Sequence, residues 1–290
     1  MSPSALSPAT ALDAAFEADA FEALAIDVPG ADVTLRPADT EALQVRVEVP
    51  EATPEEARRV FEKCDLAPRR SGNRLQIHGA GPTSTVADWR WRRQLSTTVH
   101  LTVRVPSSLS VRSRVPGGRV DLAEIAGPVH VTAPGATVRA RALRGPLRVE
   151  GSGGALAVKE AGDALNLRWS SGEVSVRDTR APVDVIAHGA PLTLQHVAGP
   201  CEAAVHGASL TYHGAPESDV ALRTTGAPLS AHLPATHAAT LSLKGARVTL
   251  DSDFALDGTQ TARHVAGTLR GGGPRPAFQA GRAPVTGRAP

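Results

Sequence analysis

From Val111 to Leu250 the chain alternates apolar and polar positions in short bursts, and the bursts recur at a fixed interval. The first apolar residue of each burst stands at Val111, Val120, Val129, Val138, Leu147, Leu156, Leu165, Val174, Val183, Leu192, Cys201 and Leu210, nine residues apart each time. The register then slips to Val220, Leu229, Leu241 and Val248. Period-2 alternation marks a strand with one buried face, and a constant period over so many copies is an internal repeat that decides the architecture. Nine residues hold a strand and a turn but no crossover helix. Small residues such as Gly118, Gly127, Ala136, Gly145 and Gly172 stand two positions before the apolar start, where they permit a tight turn and, for Gly, a positive φ. Pro128, Pro146, Pro182, Pro191, Pro200 and Pro228 follow such residues, at a strand's first position, where a missing N–H need not break the ladder.

Two topologies have this period: an antiparallel meander, or a solenoid in which two nine-residue sides make one coil of eighteen. Ser175, Thr193, Thr211, Ser230 and Thr249 fill the outward position of every second copy, while Pro128, Pro146, Pro182 and Pro200 fall in the other set, so the doubled period is the structural one. The only aromatics between Ser107 and Leu250 are Trp169 and Tyr212. A thin interior between two walls accepts Val, Leu and Ala but few rings, whereas a sandwich recruits more of them. The expected fold is mainly β: a parallel β-solenoid (β-helix) of about eight 18-residue coils with a small mixed α/β N-terminal cap, its strands pairing in parallel at i and i+18.

Ahead of the repeat, strands are expected at Leu24 to Val28, Val33 to Arg36, Leu43 to Val49, Arg74 to His78 and Thr97 to Val105. Thr53 as N-cap, Pro54 at N1 and Glu56 at N3 form a capping box, and Ala57, Val60, Phe61 and Cys64 line one face of the helix that follows. The division is a loose leader over residues 1–16, a strand-helix-strand cap over 17–106, solenoid repeats over 107–253, and a closing segment with a mobile Gly/Pro/Arg tail over 254–290, with one last strand near Phe278. The element order, the strand ending at Val105-Pro106, and turns such as Ser170-Ser171-Gly172-Glu173-Val174-Ser175-Val176 and Gly151-Ser152-Gly153-Gly154 resemble the bacterial "putative adhesin" family of repeated-β-strand proteins, a domain of unknown function. The resemblance spans roughly residues 20–270, implies a β-solenoid, and carries no catalytic residue over.

Composition narrows the function. A formal charge of +2 gives no global reason to bind nucleic acid, and Cys64 and Cys201 alone make no disulfide framework. The first residues lack a basic n-region and an apolar h-region, and no apolar run reaches about 18 residues, so a cytoplasmic location without a transmembrane segment is expected. No phosphate-binding Gly-Lys-Ser/Thr loop or Gly-x-Ser-x-Gly elbow occurs, and Glu150, Glu160, Asp178 and Asp184 share no common offset, so no enzyme chemistry, small-molecule substrate or cofactor is expected. The expected role is a scaffold, self-assembly or interaction protein, with a protein partner or a second copy. The alternative is a binding module for an anionic polymer or a membrane surface.

Three groups of side chains are candidates for contact. Residues 107–180 hold eleven Arg and Lys against seven Asp and Glu, and Arg141, Lys159 and Arg177, with Arg139 nearby, occupy one outward offset eighteen residues apart. Such a ladder either tolerates its own repulsion, with Glu160 and Asp178 as counter-charges, or holds a polyanion. Trp89-Arg90-Trp91-Arg92-Arg93 interleaves indoles with guanidinium groups; it either stacks on bases or a membrane surface, or is an edge strand that covers the first coil with its Trp side. His188 and His206, and likewise His213 and His232, fall on neighbouring coils, but no carboxylate or thiolate recurs beside them to complete a shell, so no metal is expected.

Overall fold

The computed structural model describes residues 8–40, 42–79, 99–106, 109–234, 236–251 and 253–288, and the chain divides into two compact units, Met1–Gly145 and Pro146–Pro290. The Trp89 to Arg93 run lies outside the described residues. Among the described residues no helix is long and apolar enough to cross a membrane.

In the first unit the elements are β1 (Ala9–Glu17), β2 (Ala23–Asp27), β3 (Asp32–Pro37), β4 (Ala42–Val49), α1 (Pro54–Lys63), β5 (Arg69–Ser71), β6 (Arg74–His78), β7 (His100–Val105), β8 (Ser110–Arg114), β9 (Arg119–Ala123), β10 (Val129–Pro134) and β11 (Thr137–Leu143). They form two sheets, β1-β4-β7-β3-β9-β11 and β5-β6-β2-β8-β10. The doubled period is the pairing rule: β10 lies parallel to β8 with Val129 opposite Val111, and β11 parallel to β9 with Val138 opposite Val120. The inward residues Val111, Val120, Leu122, Val131 and Val138 are at most 1% exposed.

The solenoid starts earlier than the repeat suggests. Leu24 pairs with Val111 and Val33 with Val120, so β2 and β3 are the rung before the first repeat. Strands β6 and β7 pair in parallel with the other side of β2 and β3, giving one more rung that comes later in the chain yet lies farther out. Helix α1 has the expected capping box: Thr53 Oγ1 accepts from the Glu56 N–H at 3.3 Å and the Thr53 N–H donates to Glu56 Oε2 at 2.8 Å. Its buried face, Ala57 and Val60, packs on Ala9, Val49 and Ala52, with Cys64 partly buried beside them. Residues 9–16, expected as loose leader, instead belong to strand β1, because β4 supplies an antiparallel partner from Val49 back to Ala42. An Ala-rich segment with weak strand propensity is held by that pairing, and tertiary context decides.

The coil corners carry a second periodicity. Left-handed backbone occurs at Gly117 and Gly135, and in the second unit at Gly153, Ser171, Gly189 and Gly207, one residue before the small position marked by the sequence. Gly118 is small for another reason: a Cβ there would collide with the Ala31 carbonyl. The opposite corner puts Glu124, Ala142, Glu160, Asp178 and His196 at φ between 50° and 60°, and none of them is glycine. An L-residue in that region costs roughly 1–2 kcal/mol. Ala142 (φ 50°) is the plainest case, and Ala142→Gly is expected to raise the urea midpoint by an amount equivalent to about 1 kcal/mol.

The second unit comprises β12 (Leu147–Ser152), β13 (Ala155–Ala161), β14 (Leu165–Ser170), β15 (Glu173–Thr179), β16 (Val183–His188), β17 (Leu192–Val197), β18 (Cys201–His206), β19 (Leu210–His213), β20 (Val220–Thr225), β21 (Leu229–His232), β22 (Ala239–Lys244), β23 (Arg247–Leu250), β24 (Leu256–Gln260), β25 (His264–Leu269), β26 (Pro276–Gly281) and β27 (Pro284–Arg288). Its sheets run β13-β15-β17-β19-β21-β27-β23 and β12-β14-β16-β18-β20-β26-β22-β25-β24. Parallel offsets are 18 from Leu147↔Leu165 through Leu192↔Leu210, then 19 at Cys201↔Val220 and Leu210↔Leu229, which accounts for the slip in the sequence.

Beyond Leu229 the structure corrects the simple continuation. Strands β22 and β23 do not stack on β20 and β21. The last strands of the chain, β26 and β27, lie between them: Leu222 pairs with Phe278 and Phe278 with Leu243, while Leu229 pairs with Val285 and Val285 with Val248. The strand expected near Phe278 is present as β26, and the tail after it, expected to be mobile, adds β27 to the same interior rung, with Phe278, Ala280 and Val285 at most 3% exposed. Its alternation is regular, and the gap left between β20 and β22 gives both of its edges a partner. Few rings fill the core, as expected. Trp169, Tyr212 and Phe278 are its largest fully buried side chains, and Tyr212 Oη donates to the Val197 carbonyl at 2.8 Å.

Candidate interaction surfaces

Parallel stacking turns each outward offset into a column with a rise of about 4.8 Å per strand. In the second unit, Ser175, Thr193, Thr211, Ser230, Thr286 and Thr249 stand in register on β15, β17, β19, β21, β27 and β23. The period-18 signal found five of these hydroxyls. Thr286 escaped it because its place depends on the out-of-order rung. On the other sheet the column Arg148, Asn166, Asp184 and Glu202 is polar and partly self-satisfied, with Arg168 Nη2 2.7 Å from Asp184 Oδ2 and Asn166 Nδ2 donating to the same carboxylate at 3.1 Å.

The basic ladder appears as two pairs, one in each unit. Arg139 and Arg141 are exposed on β11, and Arg139 stands in register with Asp121, whose carboxylate is 3.0 Å from Arg36 Nη1. Lys159 and Arg177 are in register on β13 and β15. Lys159 Nζ lies 2.9 Å from Glu160 Oε1, and that hydrogen bond with its charge holds the ammonium above the usual lysine range. Asp178 is 3.0 Å from His196 Nδ1. The left-handed corner thus places acidic groups next to the ladder, as the counter-charge reading requires.

The histidines do pair. The His188 and His206 rings stack with centroids 4.9 Å apart and planes at 14°, and those of His213 and His232 at 4.3 Å and 9°. Ser170 and Thr225 flank the first pair in register; Gln195 and Arg288 flank the second. Among the described residues no three His, Cys, Asp or Glu side chains gather into a metal-binding group. Cys201 points inward as expected, 4% exposed, and burial pushes its thiol up to about 12.

The second histidine pair has a pH consequence. Burial first, then the neighbouring His213 and Arg288, hold the His232 imidazole below the ordinary histidine range. The unfolded chain then binds a proton near pH 6.5 while the folded one does not, so stability is full above that pH and declines as pH falls below it, until the folded group is protonated too. His232→Gln is expected to reduce the drop in melting temperature between about pH 7 and about pH 5, measured as paired melting curves for the two proteins.

The outer ends of the sheets depart from the parallel stack in all but one case. In the first unit the outermost strands are β1, antiparallel to β4, and the three-residue β5, antiparallel to β6. In the second unit the β24–β25 hairpin lies antiparallel on β22, and at the end of the other sheet the Val248 N–H donates to the Ala262 carbonyl at 2.9 Å.

No family model matches the chain, and no curated protein matches it. Among solved structures, the chain is similar to a putative cell adhesion protein from Clostridium sporogenes ATCC 15579, with 8% identity, coverage of 98% of this chain and 100% of that one, and a TM-score of 0.32. It is also similar to a putative adhesin from Bacteroides fragilis NCTC 9343, with 8% identity, 96% coverage of both chains and a TM-score of 0.25.

Proposed function

We propose that this protein is a non-enzymatic interaction module that engages a macromolecular partner along the flanks of its β-solenoid. The observation that carries this reading is the six-strand hydroxyl column from Ser175 to Thr249, a regular outward row in register on six neighbouring strands. Growth by rung addition in register needs an exposed parallel strand, and at three of the four outer sheet ends the outermost strand is antiparallel to its neighbour, while β23 ends the fourth in parallel with β27. The carboxylates are engaged locally: Asp184 with Arg168, Asp178 with His196, Glu217 with Arg180, Asp121 with Arg36. Asp178 and Glu217 line one small cleft, where each is paired with its own neighbour, His196 and Arg180. Light scattering over a wide dilution series tests the reading: the mass is expected to stay constant, and growth with concentration would restore the self-assembling scaffold.

A further inference from the structure

The out-of-order rung builds a basic groove. From Val220 onward the chain carries eight Arg and Lys against three Asp and no Glu, a bias hidden by the near-neutral total. The β22–β25 pairing and the intercalation of β26 and β27 together bring three of these cations to one place. Lys244, at the end of β22, is in register with Gln279 on one side and His264 on the other. The Arg263 carbonyl accepts from the Gly245 N–H at 3.1 Å, and the Ala283 carbonyl from the Ala246 N–H at 3.0 Å, so the turn with Arg263 and the turn with Arg282 are both tied to the corner after Lys244. The result is an open groove of about 700 Å³ whose rim holds Lys244, Arg263 and Arg282, all exposed, with His264 and Gln279 between them. No Asp or Glu is among the described residues that line it.

We propose that this groove binds a phosphate or sulfate oxyanion, either as the free ion or as an ester on a polysaccharide. Two guanidinium forks and an ammonium around one concavity suit an oxyanion with several acceptor oxygens, and arginine can engage it through two parallel N–H bonds. The lining includes Gly245, which puts no side chain between an anion and the backbone. The lining has no Phe, Tyr or Trp and no large apolar side chain to enter a bilayer, and His264 is the one ring it offers a base, so a saccharide-borne or free anion fits better than a nucleic acid or a lipid surface. The inference deepens the interaction-module reading by naming the ligand chemistry and the place on the flank where it is held.

The test is isothermal titration of the full chain at low salt with two probes, inorganic phosphate and dextran sulfate. Binding of both places the recognition in the ion itself; binding of dextran sulfate alone assigns it to the polymer-borne ester. In either case Lys244→Gln with Arg263→Gln and Arg282→Gln is expected to weaken binding at least about tenfold and to flatten its salt dependence, because three fewer counterions are displaced. A charge-matched triple on α1, Arg58→Gln with Arg59→Gln and Lys63→Gln, is expected to bind as wild type. Should the groove triple melt early, Arg263→Glu alone, on an exposed turn, is read in the same way. Absence of binding to either probe, or equal losses in the groove and α1 variants, would overturn the groove. Neither outcome touches the scattering mass on which the interaction-module reading is judged, so the two can fail separately.

Discussion

Phe278→Asp is expected to unfold the rung formed by β26 and β27 and to destabilise the second unit by at least about 4 kcal/mol, close to the whole stability of many domains. Phe278 is 1% exposed, lies in register between Leu222 and Leu243, and has its ring 6.1 Å from that of Tyr212. Removing the ring forfeits its burial and leaves a cavity, a change that costs about 3–5 kcal/mol for Phe in a core. The introduced carboxylate has no cation on the inward side and must be neutralised or drawn into water. Because this rung is the partner of both β20 and β22, its loss also exposes the edges of its two neighbours. Amide exchange should accelerate across β22 and β23 as well as at the mutated strand. Ala277→Asp, one position away and exposed, is the control and is expected to change stability by less than about 1 kcal/mol. Equal shifts in the two variants would mean that the C-terminal strands do not fill the gap.

Much of this architecture was legible in the chain. A regular nine-residue alternation fixes which side chains face inward, and the recurrence of Ser and Thr in every second copy fixes parallel pairing at eighteen. The helix was legible because capping is local chemistry, completed by Thr53 and Glu56 within one turn. What escaped was non-local. Alternation states that a segment is a strand but not which neighbours it joins, so the rungs β6–β7 and β26–β27, each displaced from its place in chain order, could not be read from it. The leader strand β1 escaped for the same reason, its Ala-rich sequence being held by β4. Left-handed corners at Glu124, Ala142, Glu160, Asp178 and His196 also gave no signal, since residue type there does not advertise the backbone it adopts. The groove was least legible of all: Lys244, Arg263 and Arg282 stand on separate elements, and the β22–β25 pairing together with the crossing-back of the last rung brings them to one rim. The ladder from Arg139 to Arg177 had a clear sequence signal, yet its neighbouring acids at Glu160 and Asp178 make it the more locally balanced of the two basic surfaces.

Val176→Asp is expected to cost several kcal/mol, while Ser175→Asp next to it costs no more than about 1 kcal/mol, although both add the same charge to the same strand. Val176 is 0% exposed and stands between Val158 and Leu194 in adjacent rungs. All three sit on the inward column, where the walls are Val, Leu and Ala and offer a carboxylate neither hydrogen bond nor counter-ion. The substitution also removes two methyl groups from a close-packed interior, adding a packing loss to the charge penalty. Ser175 lies on the outward column between Ala157 and Thr193, where water solvates the new group and the main loss is strand propensity and one member of the hydroxyl column. The same contrast should hold at Leu194 and Thr193, one coil further on, since an eighteen-residue period repeats the environment as well as the backbone. Urea denaturation of the four variants measures it. Inward substitutions should shift the midpoint strongly and outward ones weakly; matching shifts within each pair would place the inward face one residue away, and with it every outward column on which the interaction surfaces depend.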